Sequence, residues 1–557
     1  MKVSTVKRLI VLLLTTAIVF SLTACSKPAA NPDPTPTAPP ATEKPADNEE
    51  IPTDSDRYGK YDPPIKMTQV IALGTHQKFR EGEDINNNVW IQSYLEDLGI
   101  ELTYDWAVDG SEYGEKLSLA ITTDNLPDVL TVGAAHFKTL AEEGRIWDLT
   151  DIFEEYASET TKEIMKQDAV GWKSMHIDGK LMGLGYTDSS AANAPLLWIR
   201  NDWLRNLGLE EPKTMQEVLD VAEAFARMDP DGNGADDTYA FAFNGSSRSF
   251  YGFFNAYHAY PGIWIQKDGE LVYGGIQPEM KAALAKLQDM YRSGLIDPDF
   301  AVNDPGEGII NGKFGMVYGA WWQCFANLPH TRVNNPEADW RAYRPMSIDD
   351  KIGKAQYSNA VYNYHVVNKD YEHPEAMIKM YNYWFDIITN QTEENLYKYL
   401  VDRDDPEIVM YHYINLIGWE PKSKMPLQLW EAIESGDTSN LPFASLETYN
   451  TIMRYLEDPE NAGVEEWATY VGNGPGGSQS IIFEVGENRG IFNEFYGVPT
   501  PMMAEKMPAL ESMMDEMIIN IVLGEPVDNF DRFVEEWKRL GGDEITYEVN
   551  EWYKRNK

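Results

Sequence analysis

The chain has 557 residues, with 89 acidic side chains against 47 basic ones and a net charge of −42 at pH 7. That balance excludes nucleic acid and anionic membrane surfaces as partners. Two cysteines exclude a disulfide framework, so stability must come from packed cores, and the length suffices for two.

Lys2, Lys7 and Arg8 precede an apolar run over residues 9–20 and then small residues. This is the order of a secretory signal. The run is too short for a spanning helix of ~20 residues. Leu22-Thr23-Ala24-Cys25 resembles a bacterial lipobox, so residues 1–24 read as a signal peptide and Cys25 as the lipidated new N-terminus. Residues 25–65 are rich in Pro, Ala, Thr and acidic residues. They lack the apolar surface to offset ordering and are expected to form a disordered tether. The folded body is thus expected at the extracellular face of the cell membrane, in contact with it through the lipid only. The second cysteine, Cys324, reads as a buried small apolar residue.

Residues 67–73 predict a strand. Residues 87–98 predict a helix, with Val89, Ile91, Tyr94, Leu95 and Leu98 on one face and Gly99 as its stop. A strand over 100–108, a helix over 113–122 and a strand over 128–132 complete a β-α-β-α-β order. That order implies a parallel sheet flanked by helices. Thr214 to Glu217 is a capping box before an amphipathic helix. Pro278 opens a second helix, closed by Gly294. Residues 312–318 read as a strand leading into Trp321 and Trp322. His373 and Pro374 begin a long helix. Residues 530–540 form another, capped by Gly541-Gly542, and residues 543–555 read as a strand and then a helix. No linker interrupts residues 66–557, which favours two lobes sharing crossing segments.

The lipobox cysteine, "LPDVL", "WIRNDWLRNLGLEEPKTMQEV", "DPDGNGADDTYA", "GLIDPDF", "GKFGMVYGAWW" and "FDRFVEEWKRLGGDEITYEVNEWYKR" follow one another in this order. Together they resemble the extracellular solute-binding lipoproteins of carbohydrate ABC transporters, in their large Gram-positive subgroup. The resemblance implies an α/β, two-lobed periplasmic-binding-protein-like fold of type II. Parallel-rich sheets flanked by helices and a hinge with several chain crossings come with it. Residues 66–185 and about 355–400 would form lobe 1, and about 186–354 and 401–557 lobe 2. It further implies a monomer that captures a carbohydrate between the lobes and delivers it to ABC permease subunits.

A sugar offers C–H faces to aromatic rings and hydroxyls to polar groups, and open α/β lobes bind at the carboxyl ends of strands. Trp321 and Trp322 follow a strand directly, and since neighbours in extended chain point opposite ways, one of them is expected to touch ligand. In the first lobe the expected contacts are His76 and Gln77 after the first strand, Asn88 and Trp90 at the first helix, and His136 after the third strand. Tyr186, Trp198 and Arg200 flank the crossing. Asn244, Arg248 and Tyr251 lie in an aromatic-rich loop, Arg248 mattering for an acidic ligand.

In "DPDGNGADDTYA", Asp229, Asp231, Asn233 and Asp237 occupy positions one, three, five and nine of a calcium loop. Gly234 stands at six and the Ala235 carbonyl at seven. Position twelve is Ala240, so the usual bidentate glutamate is missing. A structural Ca2+ is the one cofactor expected, with none for catalysis. No HExxH or GxSxG motif singles out an enzyme, so a glycan-active enzyme is the weaker alternative. A sensory or adhesive binding protein and a binder of a non-sugar solute such as a peptide share the same sequence features.

Overall fold

The computed structural model describes residues 57–556, apart from 75–76, 188–189, 359–360, 406, 411–424 and 440. Cys25 and His76 lie outside the described residues.

Strands β1 (Ile65–Leu73) and β2 (Ile100–Asp109) pair in parallel, with Ile65 beside Ile100 and Leu73 beside Asp109. The helix between them begins at Val89. Asn88 caps it, its side-chain oxygen accepting from the N–H groups of Trp90 and Ile91. The helix ends at Gly99, whose φ of 67° is left-handed; a Cβ there would lie 2.4 Å from the Tyr61 carbonyl oxygen. Only glycine meets both demands. β3 (Val129–Val132) is tied alongside β1 by Asp128, which accepts from the Thr68 N–H at 2.7 Å. β4 (Leu184–Thr187) then leads out of the first lobe.

The second sheet begins at β5 (Leu196–Arg200), followed by β6 (Tyr239–Phe241), β7 (Phe314–Gly319) and β8 (Trp340–Tyr343), in the spatial order β8-β5-β7-β6. The capping box before the Met215–Arg227 helix forms as expected, Thr214 and Glu217 each bonding the other's backbone. From β8 the chain returns through β9 (Ala355–Tyr357) into β10 (Val361–Val367), which lies between β3 and β4 in a three-stranded first sheet; β1 and β2 form a separate parallel pair. The last strand, β11 (Gly490–Phe492), pairs in parallel with β9.

Both sheets are more mixed than a parallel-rich reading predicts. β10 runs antiparallel to β3 and β4, and β5 runs antiparallel to β7 and β8. Each reversed strand is a strand by which the chain enters from the other sheet, so its direction is set by the crossing rather than by a βαβ turn.

Two large cores result. One is built from residues 67–184 and 364–410, the other from residues 197–316 and 495–549. A small apolar cluster of Ala191, Ala194, Leu196, Ala355, Ile481, Ile482 and Val485 packs where the crossing segments meet.

Residues 543–556 form one helix, not a strand followed by a helix. Ile545 and Val549, four apart, are buried while Tyr547 is 66 % exposed. The alternation that suggests a strand is one stripe of a helix plus an exposed ring. Gly541, at φ 129°, makes the kink that lets this helix follow closely on Asn529–Trp537.

Candidate ligand cleft

Strand direction fixes which edges face the gap. β4 ends where the chain leaves the first sheet, and β5 begins where it arrives in the second. β4 ends beside the start of β10, Thr187 pairing with Val361, and β3 ends beside Tyr364. The carboxyl ends of β3 and β4 therefore share one edge. The ends of β1 and β2 come to the same side, since Leu73 pairs with Asp109 and Tyr113, just past β2, donates its hydroxyl to the Thr131 carbonyl of β3 at 2.9 Å. In the second sheet Leu196, the first residue of β5, pairs with Gly319, the last of β7, and β6 runs with β7. The carboxyl ends of β6 and β7 thus lie on the edge where the first lobe joins. Two sets of strand ends border the region between the cores, the usual place for a ligand in open α/β sheets.

On the first edge Gln77 closes a turn, its N–H bonding the Gly74 carbonyl at 3.1 Å. His136 is half-buried in the first turn of the Ala134–Glu142 helix. Gly133 supplies no side-chain cap there, so this N-terminus offers free N–H groups. Tyr186 lies in β4 opposite Asn363. The aromatic pair Trp106 and Tyr113, ring centroids 5.4 Å apart with Lys116 over the Trp106 ring, stands at the end of β2. Sequence reasoning passed over it, although "DWAVDGSEYGEK" places both rings at a strand-to-helix junction.

On the second edge Trp321 to Phe325 form a tight 3-10 turn rather than extended chain. Successive side chains of such a turn still point in different directions. Trp321 is half-buried against the crossing cluster, its carbonyl accepting from the Ser478 hydroxyl at 2.8 Å. Trp322 and Phe325 are 42 % and 46 % exposed. An open aromatic surface results, with one indole anchored and one free. Asn244 initiates the next turn, accepting from the Ser246 N–H at 2.9 Å. Arg248 is exposed near Glu511 and Asp515. Tyr251 is half-buried, and burial raises its phenol pKa.

Four expected contacts are structural instead. Asn88 is fully buried and spends its side chain on the helix cap and on the carbonyls of Asp84 and Ile85. Trp90 is fully buried, its indole N–H donated to the Tyr399 carbonyl. Trp198 is fully buried and bonds the Ala320 carbonyl. Arg200 is buried in a two-bond pair with Asp202 and stacks on Trp203. Asn88 and Trp90 stand at a helix start, and Trp198 and Arg200 follow the crossing, which made them candidates; their side chains, however, turn into a core.

A groove of about 510 Å³ also spans the two lobes. Phe137, Lys138 and His176 line it from the first, and Tyr496, Trp552 and Arg555 from the second. Its far wall is the C-terminal helix, whose strand-like sequence hid it.

Residues 86–386 match the family model described as bacterial extracellular solute-binding protein. The chain belongs to that family. It is 23 % identical over 488 residues to Lipoprotein LipO of Bacillus subtilis (strain 168), covering 82 % of this chain and 87 % of LipO. Among solved structures it resembles an HMO binding ABC-transporter associated solute binding protein from Bifidobacterium longum infantis ATCC 15697. There the TM-score is 0.60 at 14 % identity, with 89 % of this chain and 99 % of that one covered. It also resembles the S. pneumoniae ABC-transporter substrate binding protein FusA, an EF-hand mutant in complex with fructo-nystose. The TM-score is 0.53 at 16 % identity, covering 88 % and 100 %. The shared fold is the two-lobed type II architecture of this family, and among the described residues no helix is long and apolar enough to cross a membrane.

The acidic loop after the Met215–Arg227 helix folds around the Asn233 amide. Its Nδ2 donates to Asp231 at 2.8 Å and Asp237 at 3.2 Å, while Asp229 accepts from the N–H groups of Asn233 and Gly234. Thr238 bonds the Phe225 carbonyl and moors the loop to the helix. Burial raises the Asp231 pKa, and the hydrogen bond to Asp229 and the charges of Asp237 and Asp229 raise it further. Ala235 contributes only a backbone carbonyl. The donors are all hard oxygens, which suit Ca2+. Ala240 is buried in β6 and adds none. Among the described residues no group of three His, Cys, Asp or Glu side chains is placed to hold a metal ion.

Proposed function

We propose that this protein is a lipid-anchored, non-catalytic receptor that captures an oligosaccharide between two lobes and presents it to an ABC importer. The observation that carries this reading is the pairing of two strand-end edges across one gap, with the Trp321–Trp322–Phe325 surface on one of them. An indole or phenyl face matches the C–H face of a sugar ring. Gln77, the free N–H groups before His136, Tyr186, Asn244, Arg248 and Tyr251 supply polar groups for the rim. Residues 66–185 with about 355–400 act as lobe 1, and the remainder of the folded body as lobe 2. Cys25 carries the lipid that holds the protein at the outer face of the membrane. The FusA EF-hand mutant is in complex with fructo-nystose, and the Bifidobacterium protein is an HMO-binding one, which supports a saccharide over a peptide.

Asp229, Asp231, Asn233, the Ala235 carbonyl and Asp237 are proposed to hold a structural Ca2+. FusA has an EF-hand that was mutated in the similar structure, which supports such a loop here. When bound, the ion would supply positive charge to the clustered carboxylates. Asp231 and Asp237 would then no longer need the Asn233 amide between them.

Only the closed form contacts ligand from both edges, so ligand shifts the lobes toward closure. The test is a thermal-shift screen of oligosaccharides, followed by small-angle scattering with the one that raises the melting temperature. A smaller radius of gyration with ligand is expected; no stabilising saccharide, or no change in radius with a tight one, would sink the reading. Uptake of the labelled sugar in a deletion strain separates transport from a sensory or adhesive role.

A further inference from the structure

Glu484, the last residue of the Ser478–Glu484 helix, is shared by two arginines. Arg344 bonds its Oε2 through Nε, and Arg489 bonds its Oε1 through Nε at 2.7 Å. Among the described residues neither guanidinium has a second carboxylate partner. Two cations on one anion leave a positive charge over, in a chain whose net charge is −42. Each arginine is held by Nε alone, so the outer amino groups of both forks are left unbonded among the described residues. The Arg344 side chain is 64 % exposed.

The pair stands at the cleft edge. Gly319 pairs with Leu196, and Tyr343 pairs with Leu197 across the other side of β5. Arg344, one residue on, falls in the same row as Leu196 and Gly319, two strand spacings or about 10 Å from the end of β7. Ala342 and Arg344 lie on one face of the strand. Ala342 and Trp321 both pack against the crossing cluster of Leu196, Ile481 and Ile482. Arg344 therefore shares a face and an edge with Trp321, about two strand spacings from the strand end that leads into the tryptophan turn, a span that adjacent rings of one oligosaccharide can bridge.

We propose that Arg344 and Arg489 form a carboxylate subsite and that the ligand is an oligosaccharide containing uronic acid. The inference rests on the carbohydrate reading above and narrows it. One ring stacks on the tryptophan surface, and the carboxylate of a neighbouring ring takes the outer N–H groups of the two forks. A guanidinium fork matches a carboxylate with two parallel hydrogen bonds, and such charge-assisted bonds are about twice as strong as neutral ones. A hydroxyl in the same place could not neutralise the surplus charge.

The test is calorimetric titration of the full-length mature protein with trimers of galacturonate, mannuronate and guluronate. The methyl ester of the galacturonate trimer and neutral galactose and fructose oligomers serve as controls. At least one acidic trimer should bind, and removing the charge or making Arg344→Gln should weaken it about tenfold or more, the worth of a charged hydrogen bond. Glu484→Gln should keep or raise that affinity, because it removes the internal competitor. Equal losses in Arg344→Gln and Glu484→Gln would make the cluster a hinge fastening and overturn the subsite. Binding of neutral oligomers without acidic ones would overturn this inference and leave the carbohydrate reading standing. Binding of neither would sink both.

Discussion

Arg200 and Asp202 form a two-bond ion pair within a single turn of chain, Nε to Oδ1 at 2.8 Å and Nη2 to Oδ2 at 2.5 Å, with the guanidinium carbon 4.8 Å from the Trp203 ring centre. Asp202 also accepts from the Asp339 N–H at 3.1 Å. The pair thus joins the end of β5 to the residue before β8. Removing the guanidinium leaves a buried carboxylate without its ion-pair partner. Arg200→Ala should cost about 3–5 kcal/mol of unfolding free energy, read from urea denaturation. Ligand affinity in the folded fraction should hold; loss of affinity without loss of stability would return Arg200 to the cleft.

Arg200 also shows where sequence reasoning stops. Periodicity and capping located most strands and helices, because a period of two or of 3.6 and a cap such as Thr214–Glu217 are local properties. A place at a helix start or just after a crossing is equally local information, and Trp90, Trp198 and Arg200 all qualified by it. Which way such a side chain turns depends on partners far along the chain: Tyr399 for Trp90, and Ala320 for Trp198. Trp322 stays exposed while Trp321, whose carbonyl accepts from Ser478, packs on the crossing cluster. The reversed directions of β5 and β10 are likewise invisible locally, since they follow from crossings between the lobes. At residues 543–556, Ile545, Tyr547 and Val549 satisfy both periods over a short window, and packing against the second core selects the helix.

The two tryptophans should separate cleanly. Trp322 is 42 % exposed and outside every core cluster, so Trp322→Ala should change stability by no more than about 0.5 kcal/mol. It should remove sugar-dependent fluorescence quenching and weaken sugar binding about tenfold. Trp321 packs on the crossing cluster, and Trp321→Ala should cost about 2–3 kcal/mol as well as affinity. Unchanged sugar affinity in both variants would remove this surface from the site.

Asp339 holds the Val464–Asn473 helix to the second sheet. It accepts from the Trp467 indole N–H at 3.1 Å and pairs with Arg341 at 2.8 Å and Arg205 at 3.0 Å. Burial alone would raise its carboxyl pKa, but Arg341, the indole N–H and Arg205 outweigh it and hold the folded value below the usual carboxylate range. A depressed folded pKa contributes stability above the unfolded value, about 4, and loses it as pH falls through the folded one. Asp339→Asn should therefore cost about 3 kcal/mol at pH 7, with the gap to wild type narrowing steadily as urea unfolding is repeated toward pH 3. A gap independent of pH would show that the carboxylate charge contributes nothing.

The acidic loop should show the opposite sign. Burial, the hydrogen bond to Asp229 and the charges of Asp237 and Asp229 raise the Asp231 pKa in the folded chain. A raised carboxyl contributes stability below its unfolded value and loses it as pH rises through the folded one. The metal-free protein should accordingly weaken as pH climbs from about 4, because a proton that eased the clustered charges departs. Calcium replaces that proton and is most effective at higher pH, where the donors are ionised. At neutral pH, calcium at 100 times its dissociation constant should add about 2.7 kcal/mol. The gain should shrink toward pH 4 and vanish in Asp229→Ala. Calorimetric melting with calcium, with magnesium and with chelator decides the matter. A melting temperature indifferent to calcium at pH 7.5 would leave the loop a polar turn held by the Asn233 amide.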